Sequence, residues 1–261
     1  MANDLQRSNE WYLARKGKLT ASEIYVLLNN RKEDVPLTEE DKVLFRQEHP
    51  RAKIPDTKKI EVPFNDASYK YIDEKIAECY MPDDSYLEYI DENRYETAAM
   101  RWGTFWEDTA RKRYADVMGE EIIDMPFVPL KGFEKFSGAS PDGLVRHKNA
   151  LIEIKCPYNP SVHMKYLLFK NPQDLMDEKL QYYVQIQHNI LSVEKEMGQR
   201  IDYVDFISFD PRISASKQMK ILRIPRDEDM INLLLERIEC AVLYMREKME
   251  EINSAEVTIV S

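Results

Sequence analysis

Two carboxylates and an amine stand in an order that suits phosphodiester chemistry. Asp142 stands in the middle of the turn-like segment Ser140-Pro141-Asp142-Gly143-Leu144, and ten residues separate it from Glu153 of Glu153-Ile154-Lys155-Cys156-Pro157. Leu151 and Ile152 make the approach to Glu153 apolar, as a buried strand requires. In a strand, side chains alternate, so Glu153 and Lys155 share one face while Ile154 turns the other way into the core. A hairpin at His147–Asn149 would return the chain beside Asp142 and bring both carboxylates together with the ammonium group. Paired carboxylates suit a hard divalent cation such as Mg²⁺, with Mn²⁺ able to substitute. Such a cation polarises a phosphodiester and lowers the pKa of bound water, and a lysine beside it holds or deprotonates that water and offsets developing negative charge. Glu-x-Lys alone is a weak signal, and a second match, Glu40-Asp41-Lys42, lies in a polar stretch with no apolar strand around it. The competing reading of Glu153 and Lys155 is an ion pair on a sheet surface.

The elements that must position these residues follow from periodicity. Residues 97–118 read as a long helix carrying Ala98, Trp102, Phe105, Trp106, Ala110 and Tyr114 at helical spacing, with Gly119 as its C-cap. Strands are expected at Ile122–Leu130, Phe133–Ala139, Gly143–Arg146 and Leu151–Cys156. Helices are expected at Val162–Phe169 and from about Leu175 to Met197, strands at Tyr203–Phe209 and Met219–Ile224, and a last helix over Asp227–Ile252. That helix repeats Ile231, Leu234, Ile238, Val242, Met245, Met249 and Ile252 at spacings of three and four, a packed stripe. Near the start, Thr20 with Glu23 has the form of a capping box, predicting a helix through about Leu28 with Ile24, Leu27 and Leu28 on one face. The order predicts an α/β fold, a mixed sheet flanked by helices.

Residues 31–96 differ in character. They hold five prolines, no glycine, and 18 acidic against 11 basic residues, which is −7 of the chain's net −10. Phe45, Phe64, Tyr69, Tyr71, Tyr80, Tyr86 and Tyr89 give the stretch apolar area to bury, so it reads as a partly helical insertion packed on the core, with Tyr69–Cys79 as a short helix. At 261 residues the chain is expected to form one nuclease domain carrying that insertion. Its net charge argues against a general nucleic-acid binder but leaves room for a local basic groove. Three widely spaced cysteines, Cys79, Cys156 and Cys240, form no zinc ribbon, disulfide framework or iron–sulfur set. His49, His147, His163 and His188 lack metal-ligand spacing. No apolar run approaches a membrane span, and Met1–Arg7 has no signal-peptide core, so a cytoplasmic protein is expected.

Five segments, taken in order, resemble the family of phage lambda exonuclease and the YqaJ-like viral recombinases. They are Trp11–Arg15 with Gly17 and Leu19–Glu23; Trp102-Gly103 with Glu107 and Ala110-Arg111; the two segments around Asp142 and Glu153; Met164–Tyr166 with Tyr182–Gln187; and Asp210-Pro211-Arg212. The resemblance covers roughly residues 8–30 and 97–225 and implies a PD-(D/E)XK restriction-endonuclease-like core. It implies that Asp142, Glu153 and the backbone carbonyl of Ile154 hold the metal, that Lys155 is the catalytic lysine, and that Glu107 completes the site from a helix. Arg15, Ser22, Ser140 and Gln185 match residues gathered around a substrate 5′-phosphate. Members of this family degrade one strand of duplex DNA from a 5′ end, often as ring-shaped trimers, and work with a single-strand annealing protein in recombination. Bland readings stand beside these: Glu107 as a solvated charge, Arg15 as a surface residue, Gln185 and Tyr182 as neighbours capping a buried polar site. At the level of function, the alternatives are an endonuclease on the same core and a non-catalytic module that binds DNA ends.

Overall fold

The computed structural model describes residues 7–93 and 96–255. The expectation that Met1–Arg7 has no signal-peptide core falls, but for Arg7, outside the described residues, as do Arg94 and Tyr95 of the acidic stretch. The chain opens with α1 (Asn9–Arg15), capped by the Ser8 hydroxyl, then the two-residue strand β1 (Leu19–Thr20) and a 3₁₀ turn, Ile24–Leu28. Thr20 is therefore a strand residue and caps no helix. Its amide donates to the Tyr71 hydroxyl at 3.0 Å, and β1 pairs in parallel with β6, introduced below. A partner far away in sequence overrides the local capping signal. Ile24 and Leu27 are fully buried, as the pattern predicts.

Residues 31–62 form the antiparallel pair β2 (Arg31–Pro36) and β3 (Thr57–Val62) with α2 (Glu39–Glu48) between them. Leu37 is the one buried residue in this stretch, so it projects from the body. Glu40-Asp41-Lys42 lies on α2, where Asp41 serves the Thr38 capping box and pairs with Lys58. Then α3 (Asp66–Tyr80) buries Tyr71, Ile72 and Ile76 in the main core, and α4 (Asp83–Asn93) follows. This stretch is thus partly helical, with α3 packed on the core, and it also contains a strand pair that its charged sequence did not announce.

The long helix α5 (Ala98–Met118) ends at Gly119 in the left-handed conformation, φ 66°. The single strand expected over Ile122–Leu130 is two pieces in two sheets, β4 (Ile122–Ile123) and β5 (Val128–Pro129), separated by a segment containing Pro126. There follow β6 (Ser137–Ala139), β7 (Gly143–Val145), β8 (Ala150–Lys155) and α6 (Pro160–Leu167). The helix expected from Leu175 to Met197 is also two: α7 (Pro172–Glu178) and α8 (Leu180–Met197), broken at Lys179, whose φ −145° and ψ 63° are not helical. The chain ends with β9 (Tyr203–Phe209), β10 (Met219–Pro225) and α9 (Glu228–Ser254). On α9, the stripe from Ile231 to Met245 is buried, while Ile252 is exposed.

The main sheet has the order β10-β9-β8-β7-β4, with β8 parallel to β9 and antiparallel to β7. A smaller sheet, β1-β6-β5, lies beside it. This is the mixed α/β architecture that the element order predicts. The central strand β8 separates two cores. Ala150, Ile152 and Ile154 pack toward α5 with Ala110 and Tyr114, while Leu151 faces the larger core built on α8 and α9. Gly143 is required where β7 enters the sheet, since a Cβ there would lie 2.5 Å from the Ile122 side chain. That close approach pins the residue next to Asp142.

Candidate active site

β8 carries Glu153 and Lys155 to one face at its C-terminal end, as side-chain alternation predicts. Lys155 Nζ donates to Glu153 Oε1 at 2.6 Å. Glu153 is 1% exposed, so this is a buried ion pair and not a surface one. Two amides from α8 complete its shell: Gln185 Nε2 donates to Oε1 at 2.8 Å and Asn189 Nδ2 to Oε2 at 2.9 Å. The β7–β8 hairpin turns through His147, at φ 60°, and returns the chain beside Asp142. Asp142 Oδ2 then accepts the Ile154 amide at 2.6 Å, which locks the carboxylate across β8.

Glu107 reaches the same cleft from the middle of α5. Its side chain is 14% exposed and lies 3.3 Å from Arg111 and 3.9 Å from Arg7, so it is not a freely solvated charge. About two turns further on, Tyr114 donates to the fully buried Asp205 at 2.7 Å, and Arg223 holds the same carboxylate with two bonds of 2.9 Å. This network fastens α5 to the sheet.

The second group gathers at the end of α1. Arg15 Nη1 donates to Ser140 Oγ at 3.2 Å, Nη2 to Ser22 Oγ at 3.5 Å, and the guanidinium stacks 4.2 Å from the Trp11 ring centre. Arg15 can reach them because Gly17, at φ 67°, turns the chain from α1 into β1, where a Cβ would sit 2.4 Å from the Cys79 sulfur. Gln185, grouped by resemblance with Arg15, Ser22 and Ser140, is bonded to the buried ion pair: to Glu153, and to Lys155 Nζ at 3.5 Å. Ser140 and Asp142, two residues apart, join the two groups in one cleft of about 980 Å³.

Sequence reasoning missed other walls of this cleft. Tyr89 and Ile90 of α4 line it, with Glu78 and Glu96, so part of the acidic stretch faces the site. Tyr182 is both core and site: it packs on Phe206 and lies 4.7 Å below the Lys155 amine. Arg212 grips Asp210 through two bonds of 2.8 Å, donates to the Tyr158 carbonyl at 2.9 Å and stacks 4.1 Å from Trp102. It thus ties the loop after Lys155 to α5.

Burial dominates the electrostatics of the three carboxyls. Burial, then the charge of Asp142, lifts Glu107 to about 7. Burial lifts Glu153 to about 7 as well, with Lys155 opposing and Asp142 reinforcing the shift. Asp142 is also raised by burial. Burial alone would lower Lys155, but Glu153 and Asp142 outweigh it and hold the amine above its ordinary value, hence charged. Among the described residues no three His, Cys, Asp or Glu side chains already form a metal-binding cluster. The donor set nevertheless fits a hard divalent cation by its chemistry. Three carboxyls line one cleft, each raised above its ordinary pKa chiefly by burial, and a dication there would favour their ionised forms. The other titratable candidates have structural roles. His163 spans Ser208 Oγ and the Lys217 carbonyl at 2.8 Å each, His188 is fully buried and neutral with its pKa lowered to about 3, and burial pushes the Cys156 thiol up to about 12.

With this geometry in place, residues 10–196 match the YqaJ-like viral recombinase domain. The chain belongs to that family. Its fold is shared with an alkaline exonuclease from Laribacter hongkongensis, at 24% identity and TM-score 0.62 over 94% of this chain and 96% of that one. It is also similar to a phage-related exonuclease from Haemophilus somnus 129PT, at 15% identity and TM-score 0.57 over 90% and 96% of the two chains. Among curated proteins none matches the chain. The PD-(D/E)XK-like core predicted from the sequence is therefore present. Among the described residues, no helix is long and apolar enough to cross a membrane.

Proposed function

We propose that this viral recombinase-like protein is a Mg²⁺-dependent exonuclease that degrades one strand of linear duplex DNA from its 5′ end, in phage-type recombination by single-strand annealing. The observation that carries this reading is the sharing of one cleft by the Arg15–Ser22–Ser140 cluster and the Asp142–Glu153–Lys155 centre. A guanidinium and two hydroxyls converging beside the reacting bond suit a terminal phosphate, which carries more charge and more free oxygens than an internal phosphodiester. The Laribacter exonuclease is known in complex with dAMP, a nucleotide that carries one phosphate. Family resemblance adds a homotrimer and an annealing partner protein to the proposal, with Mn²⁺ as an alternative metal.

Asp142, Glu153 and the Ile154 carbonyl would hold the cation, with Glu107 facing it from α5. When bound, it supplies Lewis-acid polarisation of the phosphodiester and a more acidic water. Arg15, Ser22 and Ser140 hold the terminal 5′-phosphate and so set the next phosphodiester in register with the centre. Water attacks that phosphorus, the bond to the 3′-oxygen breaks, and the shortened strand keeps a new 5′-phosphate. Lys155, held charged by its carboxylate neighbours, orients the water and stabilises the negative charge that builds on phosphorus.

Linear duplex should disappear in Mg²⁺ while closed circles persist. Nicked or linearised circles would favour an endonuclease on the same core, and no change in either would favour a DNA-end-binding module. The carboxyl shifts give a second expectation. A carboxyl whose folded pKa is raised contributes stability that is full below its ordinary value and lost as pH rises through the folded value. For Glu107 and Glu153 that window runs from 4.5 to about 7. Cation binding needs the ionised forms. The rise in melting temperature produced by a fixed Mn²⁺ concentration should therefore be larger at pH 8 than at pH 6. An equal rise at both pH values would show that these carboxyls do not take up the metal.

A further inference from the structure

Asn189 lies one turn beyond Gln185 on α8 and is fully buried. The buried part of α8 around it is mixed, with Ile186, Ile190 and Val193 beside Gln187, His188 and Ser192, all fully buried. Its Nδ2 donates to Glu153 Oε2 at 2.9 Å, while its Oδ1 has no hydrogen-bond partner among the described residues. A buried polar atom left unpaired is a standing cost to the fold. Leucine would fill this position without that cost. Packing alone does not explain an asparagine here, and its one side-chain hydrogen bond points to the role it has.

The donors around Glu153 are unevenly shared. Lys155 and Gln185 both approach Oε1, at 2.6 and 2.8 Å, and Asn189 alone approaches Oε2. A carboxylate oxygen has two acceptor directions, so Oε1 is filled and Oε2 has one direction left. The last torsion of a glutamate is broad, so a carboxylate held at one oxygen can turn about it. A donor on the second oxygen stops that rotation.

We propose that Asn189 is a positioning residue that fixes the plane of the Glu153 carboxylate and leaves the free acceptor direction of Oε2 open to a divalent cation. The inference rests on the metal-dependent reading above. It concerns affinity for the ion, not a chemical step, because Asn189 lies behind Glu153 and does not line the cleft.

The test is direct Mn²⁺ binding to the full chain, read from the electron paramagnetic resonance signal of free Mn²⁺, together with cleavage rate as a function of Mn²⁺ concentration. Asn189→Leu keeps the branched shape and removes the donor; Asn189→Ala removes the donor with less bulk, should leucine not be accommodated. In whichever variant folds, the Mn²⁺ dissociation constant should rise about 10- to 100-fold, the scale for losing an outer-shell partner of a metal ligand. The rate at saturating Mn²⁺ should return close to the wild-type value. An unchanged dissociation constant with a reduced maximal rate would mean that Asn189 serves folding only, and would overturn the proposal. A wild-type protein that binds no Mn²⁺ would instead overturn the metal-dependent reading, and the role of Asn189 with it.

Discussion

Lys155→Ala should lower cleavage of linear duplex by about 10²- to 10⁴-fold, the range for loss of a residue acting on the proton or charge of the transition state. Asp142→Ala and Glu153→Ala should be similarly inactive and should also bind metal more weakly. The Lys155 variant has a second signature. Its amine is the cationic partner of a carboxylate that is 1% exposed. Removing one member of a buried pair costs up to about 3–5 kcal/mol, less whatever the survivor recovers by changing protonation state. Glu153, already at about 7, would rise further without Lys155, since that charge is what holds it down. The raised carboxyl stabilises the fold at low pH and loses that contribution as pH rises through its folded value. The melting temperature of Lys155→Ala should therefore fall further below wild type at pH 8.5 than at pH 6. Wild-type cleavage by this variant would remove the catalytic assignment. A uniform stability deficit across pH would leave the assignment but deny the coupling to Glu153.

Duplex with a 5′-phosphate should be degraded faster than duplex with a 5′-hydroxyl, and Arg15→Ala should erase most of that difference. The guanidinium is oriented by Ser140 and by stacking on Trp11, while its contact with Ser22 is long, at 3.5 Å. It is pre-positioned, and its donors are not saturated. Burial pulls its pKa down, yet arginine remains charged. Hydrogen bonds to a charged group are worth about 1–3 kcal/mol, so the variant should lose about 5- to 150-fold in kcat/KM on phosphorylated ends. Its rate on hydroxyl ends should change little. Equal wild-type rates on both ends would remove the phosphate pocket, though the metal centre would stand.

What could be read from the sequence divides by how local the cause is. Glu153 and Lys155 were legible because strand alternation is a property of the strand itself, and Leu151 and Ile152 marked that strand. Gly119 and the α9 stripe were legible for the same reason. Thr20 and Glu23 misled because the partners that decide their backbone, Tyr71 on α3 and Ser137 on β6, are 51 and 118 residues away from the pairs they meet, Thr20 and Leu19. Gln185 was grouped with the phosphate cluster by resemblance. Only the seating of α8 behind β8 shows its bonds to Glu153 and Lys155. Asn189 gave no signal, because a lone asparagine in a helix looks the same whether or not a carboxylate lies opposite. Tyr89 was legible as apolar area to bury, but composition does not reveal that it and Ile90 form a wall of the cleft.

The flanking of β8 on both sides divides the site mechanically. Its amides and carbonyls are engaged by β7 and β9, and apolar residues cover it from α5 and α8. Exposing that backbone means opening the sheet, which costs nearly the whole free energy of unfolding. Arg15 and Ser22 come instead from a seven-residue helix and from the turn after a two-residue strand. Such short elements open at far lower cost than a central strand. Hydrogen exchange at the floor of the cleft would follow global unfolding, whereas exchange at its rim would follow local openings. Glu153 and Lys155 therefore keep their mutual geometry through motions that let the rim yield to an incoming strand end.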